Sequence, residues 1–510
     1  MKKLLPLVFI LCALVGKAQT YTVDSARLEE RFKKTDHILN ILREFRIQIY
    51  LQPEWQRADT AGAPGVQGGN LPAAANNRFI LRRGRFKLAW QHEMVNKHGD
   101  TIKVGEAAFQ FDASEKGFNA LKDFYGRIID PWTGWFSFQA GITVRPFGFE
   151  SPASPATYES PEFSRMNQTI MPNECELGET FIIESPRKFK PVYLRFDAAV
   201  VNGEGIGNTG TNQSGVSTGA YQSAKDFVGR LFIGKTFDLG GGTKIGLNAS
   251  GSVYYGNVLQ STNNVFEVVK NAETGLDTFK NVGVASGKGA TNFHREYYGA
   301  HLQVNFDYKM GANASATTAI RGEFITGQQP GQAGSSTAPI GTGTSLPTTT
   351  TTVTDTFVTP GGSKVLVPIS TTSNGVDLYV RKFQGYMITF TQGFHFKAGN
   401  QMMHADLTFK MDNYDPNTQI SGTHITKGAA FSTTDLAYNT YSGGFTFTPV
   451  PYFKLMLWYD HVVNESSGIS GWSSDYKKDN VFTLRTQFML DSWWFDKKST
   501  SNSNLISRSY

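Results

Sequence analysis

The feature that most constrains this chain is an alternation of apolar and polar side chains over stretches of about ten residues. In the stretch FRIQIYLQ, residues 45–52, the two kinds of side chain fall on opposite faces: Phe45, Ile47, Ile49 and Leu51 against Arg46, Gln48, Tyr50 and Gln52. A period of two is that of a β-strand, whose successive side chains point to opposite faces. The stretch therefore predicts a strand with one apolar and one polar face.

The same alternation recurs along the chain. It is found in FSFQAGITV (136–144), DFVGRLFIG (226–234), REYYGAHLQVNFDYK (295–309), FQGYMITFTQGFHFK (383–397) and NVFTLRTQFML (480–490). A soluble sandwich or propeller also alternates, but these polar faces carry Arg, Gln, Lys and Asp, which do not suit a packed core. Aromatic residues near strand ends are predicted to form an interfacial girdle: Trp132, Trp135, Tyr254, Tyr255, Trp458 and Tyr459. The pattern favours an all-β fold, a transmembrane antiparallel β-barrel.

The start of the chain has the parts of a secretory signal peptide. A cationic start precedes an apolar stretch from Leu4 to Val15 and a small residue at Ala18, which predicts a signal peptide over residues 1–18. The apolar stretch is too short to span a bilayer as a helix, and no longer one follows. After cleavage Cys175 is the one cysteine, so the exported chain makes no intramolecular disulfide.

The barrel is predicted over residues 45–490. An N-terminal segment, 19–44, contains a short amphipathic helix, and a C-terminal tail, 491–510, follows the last strand. Residues 327–374 are rich in Gly, Ser, Thr and Pro, which predicts a long flexible loop of the kind that outer-membrane barrels project outward. A linker between two soluble domains would have a similar composition, but the strand pattern resumes beyond it.

Five stretches, in this order, resemble the phosphate-selective porin O and P family of outer-membrane channels. They are RFILRRGRFKLAW (78–90), LKDFYGRI (121–128), FQAGITVRPFGFES (138–151), YLRFDAAVVNGEG (193–205) and KDFVGRLFIG (225–234). The resemblance implies a barrel of about sixteen strands in the outer membrane, commonly a homotrimer, that passes small anions by diffusion. The phosphate specialists of that family carry a dense lysine array, and this chain has none.

The polar faces supply candidate pore-lining cations. Arg83, Arg85 and Lys87 are two residues apart and share one face. Such a row is tolerable in water and would draw anions into a narrow lumen, and the arginine fork fits phosphate or carboxylate oxygens. The alternative is that acidic residues on neighbouring strands, such as Asp123 and Glu106, pair with these cations and stiffen the wall. The sequence leaves both interpretations open.

Two further arginines are placed by the alternation alone. Arg230 lies on the polar face of residues 226–234, which makes it a candidate for lining the pore. Arg82 falls on the apolar face of its strand, which predicts a position near the membrane interface with the side chain snorkelling to water.

A strand is predicted to end abruptly at Arg145, a further pore-lining candidate. Pro146 removes a backbone donor and Gly148 permits a sharp turn. In the resembled family a loop in this region folds into the barrel and narrows the pore, which suggests residues 149–188 as a constriction loop; a surface loop over the rim is the alternative. The constriction candidates are Arg165, Arg187 and Lys188, with Glu150, Glu159 and Glu162 as counter-charges.

No enzyme signature is convincing. The chain has no HExxH or GxSxG motif, and its nine histidines lack ligand spacing, so we predict neither catalysis nor a cofactor. The net charge of +6 includes three leader lysines and no dense basic run, which argues against nucleic acid. The predicted function is an outer-membrane porin for small hydrophilic solutes, with anions preferred and phosphate a candidate. The alternative is a secreted or surface β-sheet protein that binds glycans or other ligands.

Overall fold

The structure is a computed structural model, and it describes most of the chain from residue 42 to residue 492. The described residues are 34–35, 42–63, 71–95, 99, 101–114, 117–171, 174–186, 192–203, 225–259, 264–272, 275, 277–282, 292–331, 348–358, 364–374, 378–424, 431, 433–467 and 480–492. Two units are distinguished, Met1–Phe45 and Arg46–Tyr510. In the first unit residues 34–35 and 42–43 are helical, and the rest of the predicted N-terminal helix lies outside the described residues.

Almost all regular structure in the second unit is β-strand. The strands are β1 (Phe45–Ala58), β2 (Asn77–Val95), β3 (Thr101–Ser114), β4 (Gly117–Ile129), β5 (Phe136–Val144), β6 (Cys175–Glu184), β7 (Tyr193–Val201), β8 (Asp226–Gly240), β9 (Thr243–Leu259), β10 (Val265–Lys270), β11 (Asp277–Asn281), β12 (Asn292–Lys309), β13 (Ala314–Gly331), β14 (Thr348–Val358), β15 (Lys364–Asn374), β16 (Leu378–Ala398), β17 (Gln401–Asp415), β18 (Tyr438–Val450), β19 (Phe453–Asn464) and β20 (Val481–Asp491). The helix α1 spans Arg165–Ile170, and 3₁₀ turns lie at Gly422–His424 and Thr433–Asp435. No helix in the described ranges is long and apolar enough to cross a membrane.

Sixteen of the strands close into an antiparallel barrel. Neighbours in the chain pair from β1 to β9, then β9 with β12, β12 with β13 and β13 with β16, and then in succession to β20. The last strand returns to the first, with Gln48 opposite Asp491 and Ala58 opposite Val481. Closure gives every barrel strand two neighbours, so the barrel itself has no unpaired edge strand. The predicted all-β, sixteen-stranded antiparallel barrel is confirmed.

The two ends of the barrel are connected differently. At one end tight turns join β8 to β9, β16 to β17 and β18 to β19. At the other end β3 ends at Ser114 and β4 begins at Gly117, but the other connections are long. The one between β9 and β12 includes the hairpin β10–β11, whose first strand runs parallel to the start of β16. Short turns at one end and long connections at the other are typical of outer-membrane barrels.

Parts of the predicted loop over residues 327–374 are β-strand in the structure. Residues 327–331 belong to β13 and pair with β16, as in the pair Gly327 and Phe383. Residues 348–358 and 364–374 form the antiparallel hairpin β14–β15. Threonine and valine suit a strand as well as a loop, which explains why composition misjudged this segment. The predicted signal peptide and residues 493–510 of the predicted tail lie outside the described residues.

The alternation of β1 separates an exposed outer face from a buried inner face. Phe45, Ile47 and Leu51 are about 40% exposed, whereas Tyr50 and Gln52 are buried. The outer face of the other strands is mainly apolar, and exposed side chains on it include Phe138, Phe181, Leu231, Phe324, Phe390, Leu407, Phe445 and Phe488. Polar groups therefore point into the barrel and apolar groups point away from it.

Two residues of the predicted aromatic girdle are on the wrong face. Tyr254 is fully buried and Trp458 is 2% exposed, with its indole N–H donating to Asp460 at 2.8 Å. Their neighbours Tyr255 and Tyr459 are 43% and 45% exposed. Adjacent residues of a strand point to opposite faces, so only one of each aromatic pair can lie outside.

Candidate functional site: a segment inside the barrel

The connection between β5 and β6, residues 145–174, turns sharply at its start. Pro146 cannot donate to a strand ladder, and Gly148 adopts a φ of +67°, a conformation that favours glycine. Further on, Ser164 caps the short helix α1 by accepting a hydrogen bond from the Asn167 backbone N–H. Turn and cap together fold the segment back on itself.

This inner segment (residues 145–174) contacts strands from all around the barrel. Backbone carbonyls at its centre accept hydrogen bonds from Gln52 of β1, Lys454 of β19 and Gln487 of β20. At its start, Gly148 contacts side chains of β8 and β9. Only the interior of the barrel is within reach of all these strands, so the segment lies in the lumen.

Glu162 is the centre of a buried charged cluster that fixes one side of the inner segment. Its carboxylate accepts hydrogen bonds from Arg82 at 3.0 Å and from Arg83 at 2.8 Å, both on β2. Arg485 of β20 donates to the same carboxylate at 2.7 Å and also to Glu54 of β1 at 2.7 Å. We call Glu162, Arg82, Arg83, Arg485 and Glu54 the Glu162 cluster. It holds three guanidinium groups against two carboxylates.

An apolar cluster fixes the opposite side of the segment. Phe147, Met166, Ile170 and Met171 of the segment are all buried. They pack on lumen-facing side chains of seven successive barrel strands, β7 to β17, namely Ala199, Val201, Val228, Tyr254, Tyr297, Ile325, Phe383 and Tyr414. We call this set the Phe147 cluster. Its burial of apolar surface, not charge pairing, is what holds this side of the segment.

Glycines in the barrel wall shape the Phe147 cluster. Tyr254, Tyr297 and Phe383 form a row with ring centroids 5.1 Å and 5.3 Å apart. Strand β13 lies between β12 and β16, and its Gly327, opposite both Tyr297 and Phe383, has no side chain to separate the two rings. Gly385 lies beneath Met166, and a Cβ there would be 2.7 Å from the Met166 sulfur. The absent side chains make room for the row and for the segment.

Between the two clusters, carboxylates of the segment meet groups of the wall. Glu150 accepts from Lys410 of β17 at 3.0 Å and from the Ser164 backbone N–H at 2.8 Å. Glu159 accepts from Arg321 of β13 at 3.0 Å. The sequence predicts Glu150, Glu159 and Glu162 as counter-charges for Arg165, Arg187 and Lys188. In the structure these carboxylates pair with cations of the barrel wall.

Arg83, Arg85 and Lys87 all point into the lumen, and all are paired. Arg85 donates to Asp112 at 2.9 Å and to Glu174 at 3.3 Å. Lys87 donates to Asp123 at 2.9 Å, the partner that the sequence suggested, whereas Glu106, the other suggestion, pairs with Lys103. The three cations therefore have the contacts expected of ion pairs that stiffen the barrel wall.

The other predicted pore-lining residues are spread over the lumen. Arg145 donates to the Tyr254 hydroxyl at 3.3 Å, and Arg165 lies over the Tyr438 ring at 4.3 Å. Arg230 pairs with Asp197 at 3.0 Å and donates to the Gly148 carbonyl at 3.3 Å. Arg187 and Lys188 lie outside the described residues. The segment predicted as 149–188 ends earlier, because β6 occupies Cys175–Glu184 and pairs with β5.

The prediction that Arg82 snorkels at the membrane interface is wrong. Arg82 and its neighbour Arg83 both bind Glu162, so the alternation of β2 is interrupted between Leu81, which is exposed, and Arg83, which is buried. Sequence reasoning also missed Arg485, Lys410 and Arg321 as partners of the inner segment. The sequence places these three residues on the polar faces of their strands. It does not show which carboxylate each of them pairs with.

Neighbouring cations keep the carboxylates of Glu162 and Glu174 ionised. Burial works to raise the pKa of Glu162, but Arg82, Arg83 and Arg485 outweigh it and hold this pKa well below its ordinary value. The pKa of Glu174 falls to about 2, because Lys122 and Arg85 overcome the effect of burial. Within the described ranges, no group of three or more His, Cys, Asp or Glu side chains is placed to hold a metal ion.

Comparison with known proteins gives structural likenesses only. No family model matches the sequence, and no curated protein matches it, so the resemblance to the phosphate-selective porin family is not confirmed. Similar solved structures include OprB of Pseudomonas putida, at 8% identity over 90% of this chain and 97% of that chain, with a TM-score of 0.42. An anion-selective porin from Comamonas acidovorans is 9% identical over 88% of this chain and 99% of its own, with a TM-score of 0.40. At such identities and TM-scores these likenesses carry no argument about function.

Proposed function

We propose that this protein is an outer-membrane porin, through which small hydrophilic solutes diffuse passively. The observation that carries the proposal is the inner segment 145–174, which lies in a polar lumen inside a closed barrel with an apolar exterior. A closed barrel satisfies all backbone hydrogen bonds within its wall, which is what hydrocarbon requires of a spanning structure. A segment that fills part of the lumen narrows it and so limits the size of the solute.

The apolar exterior supports a membrane location. Exposed side chains such as Phe138, Phe324 and Phe445 face away from the lumen on different sides of the barrel. In water so much exposed apolar surface would favour aggregation, and in a bilayer it is the surface that lipid covers. The outer membrane is the proposed membrane because spanning barrels of this type occur there, and the predicted signal peptide agrees with export.

A preference for anions is the finer part of the proposal, and the Glu162 cluster supports it. Arg82, Arg83 and Arg485 face only two carboxylates there, and the Arg82 side chain is 24% exposed. An uncompensated positive charge beside a narrow passage attracts anions. Elsewhere in the lumen Arg85, Lys87 and Arg230 are paired with carboxylates, which supports wall stiffening at those positions. Phosphate is the candidate solute, because the arginine fork fits its oxygens.

The alternative, a secreted or surface protein that binds glycans, is not favoured. Its aromatic side chains would need an aqueous setting, whereas aromatic residues outside this barrel lie among other exposed apolar groups. Passive diffusion needs no cofactor and no catalytic group, and we propose neither. A homotrimer is the proposed assembly.

The test is the reversal potential of purified protein in a planar bilayer under a KCl gradient. We expect channels with a chloride-biased potential, and a smaller bias in Arg82→Ala and Arg83→Ala. Lys235→Ala is the matched control, because Lys235 is an exposed cation that lies over Phe237, itself exposed on the outer face. Folded protein that inserts but never conducts would overturn the porin proposal. Channels that conduct without ion preference would overturn the proposed anion preference and leave the porin proposal standing.

A further inference from the structure

Two histidines face each other in the lumen near the tight turn between β16 and β17. His395 of β16 and His404 of β17 are nine residues apart in the chain, and the register of the two strands places them directly opposite each other. His395 is buried, and His404 shares its face of β17 with the buried Thr408 and Lys410. The two rings meet at 80° with centroids 4.5 Å apart, and their Nδ1 atoms are in contact. The pair therefore presents two ring nitrogens to one point in the lumen.

The hydrogen bonds behind His395 indicate which of its nitrogens carries the proton. The Thr317 hydroxyl on β13 donates to Asp307 of β12 at 2.6 Å, so its oxygen accepts from His395 Nε2 at 3.3 Å. A neutral imidazole with its proton on Nε2 has the lone pair on Nδ1, and this lone pair is directed at His404. Metal-ligating histidines donate their other ring N–H to an oxygen acceptor in the same way.

Two carboxylates give this part of the lumen a negative charge. Asp307 is opposite Thr317, Thr317 is opposite Gly393, and Gly393 is opposite Asp406, so the row runs across β12, β13, β16 and β17. A Cβ at Gly393 would be 2.6 Å from Asp406 Oδ1 and 3.7 Å from His395 Nε2, so the glycine lets the carboxylate lie beside the ring. No cation among the described residues forms an ion pair with Asp307. The charge of this row favours a cation.

The histidine pair lies well away from the inner segment. Lys410, through which β17 meets the segment at Glu150, is six residues further along the strand than His404, a distance of about 20 Å at the rise of a β-strand. The His404 side chain is half-buried. An ion bound here would add charge to the lumen near the tight turns without contacting the segment.

We propose that His395 and His404 bind one divalent transition-metal ion of the class that imidazole suits, such as Zn²⁺, Cu²⁺ or Ni²⁺. The rings move apart to admit the ion, both Nδ1 atoms ligate it, and the His404 proton moves to Nε2. Water fills the remaining positions, with the Asp406 carboxylate beside it. Two protein ligands are fewer than the three or four of catalytic and structural zinc sites, so the ion exchanges with the lumen. The inference goes beyond the proposed function and does not depend on it.

The test is the binding of metal ions to the purified full chain in detergent, prepared without a polyhistidine tag. Titration calorimetry with Zn²⁺ should give one ion per chain, and the electron paramagnetic resonance spectrum with Cu²⁺ should show coupling to imidazole nitrogen. His404→Gln should raise the apparent dissociation constant about tenfold or more, because one of the two ligands is lost. His461→Gln is the matched control, because His461 is an exposed strand histidine whose Nδ1 is 2.9 Å from the Asn480 side-chain oxygen.

Thr317 is a positioning residue, and its substitution tests the hydrogen bonds behind the site. Thr317→Val keeps the shape of the side chain and removes the hydroxyl that accepts from His395. Loss of such an outer partner weakens metal binding about tenfold or more, whereas Thr317→Ser keeps the hydroxyl and should bind as the unaltered chain does. Circular dichroism and the mobility of unboiled protein on gels show that each variant is folded.

Binding and conductance measured on the same protein separate this inference from the proposed function. Folded protein that binds neither Zn²⁺ nor Cu²⁺, or that binds them equally well in His404→Gln, would overturn the metal site and leave the porin proposal standing. Equal affinity in Thr317→Val would overturn the role of Thr317. Protein that binds the ion and inserts, but never conducts, would overturn the proposed function and leave the metal site standing.

Discussion

The two clusters that hold the inner segment do so by different physical means. The Glu162 cluster joins the segment to β1, β2 and β20 through hydrogen-bonded ions, and its geometry is directional. The Phe147 cluster joins it to the wall from β7 to β17 through apolar packing, which is non-directional. One side of the lumen therefore responds to charge and pH, and the other responds to the volume of side chains. The predictions below separate these two responses.

The largest expected effect is that of Glu162→Gln. Removing the charge leaves Arg82, Arg83 and Arg485 with Glu54 as the remaining carboxylate of the cluster, and breaking a buried pair costs about 3–5 kcal/mol. We expect a lower free energy of unfolding and a stronger chloride bias, because positive charge is freed beside the passage. Denaturant unfolding and the reversal potential measure the two changes. An unchanged reversal potential would show that the cluster does not face the path of the ions.

The next effect is that of Met166→Ala, which opens a cavity in the Phe147 cluster. Met166 is fully buried, and truncating such a side chain costs about 2–5 kcal/mol. We expect reduced stability with an unchanged reversal potential, because no charge is altered. Met166→Leu, which keeps most of the volume, should lose less than about 1.5 kcal/mol. A shift of ion preference in Met166→Ala would contradict the separation of the two clusters.

Acid should weaken the contacts that the Glu162 and Glu174 carboxylates of the segment make with the barrel wall. A carboxylate whose pKa is lowered on folding contributes stability above its ordinary pKa and loses it as the pH falls through the folded value. For Glu174 the loss falls between pH 4.5 and about 2, and the pKa of Glu162 is lowered likewise. We expect single-channel conductance to change over that range as the segment is released from β2. The change should be absent in Glu162→Gln combined with Glu174→Gln.

The smallest expected effect is that of Glu159→Gln. Glu159 pairs with Arg321, but its side chain is 26% exposed, and partly exposed pairs contribute about 1 kcal/mol or less. We expect a small loss of stability that decreases further at high salt, because exposed charges are screened. Unfolding in dilute and concentrated KCl measures it. A loss as large as that of Glu162→Gln would place Glu159 among the main anchors of the segment.

The architecture of this protein can be predicted from the order of its amino acids. The period of two in stretches such as 45–52 and 226–234 fixes which side chains share a face. Apolar faces that recur on strand after strand must be shielded from water by lipid or by a partner. The same rule placed Arg83, Arg85 and Arg230 on the lumen side, where the structure has them. The abrupt end of β5 is also predictable from the sequence, because Pro146 and Gly148 act through local backbone geometry.

Which side chains meet in the lumen depends on the folded barrel. Glu162 and Arg485 are 323 residues apart in the chain, and their pairing depends on barrel closure and on the path of the inner segment. Alternation is a property of regular strands, so it gave the wrong position for Arg82, where β2 is irregular. It also did not show which of the Tyr254 and Tyr255 rings lies inside the barrel. Local periodicity sets the face of a residue, whereas the partner across the lumen is set by how sixteen strands close.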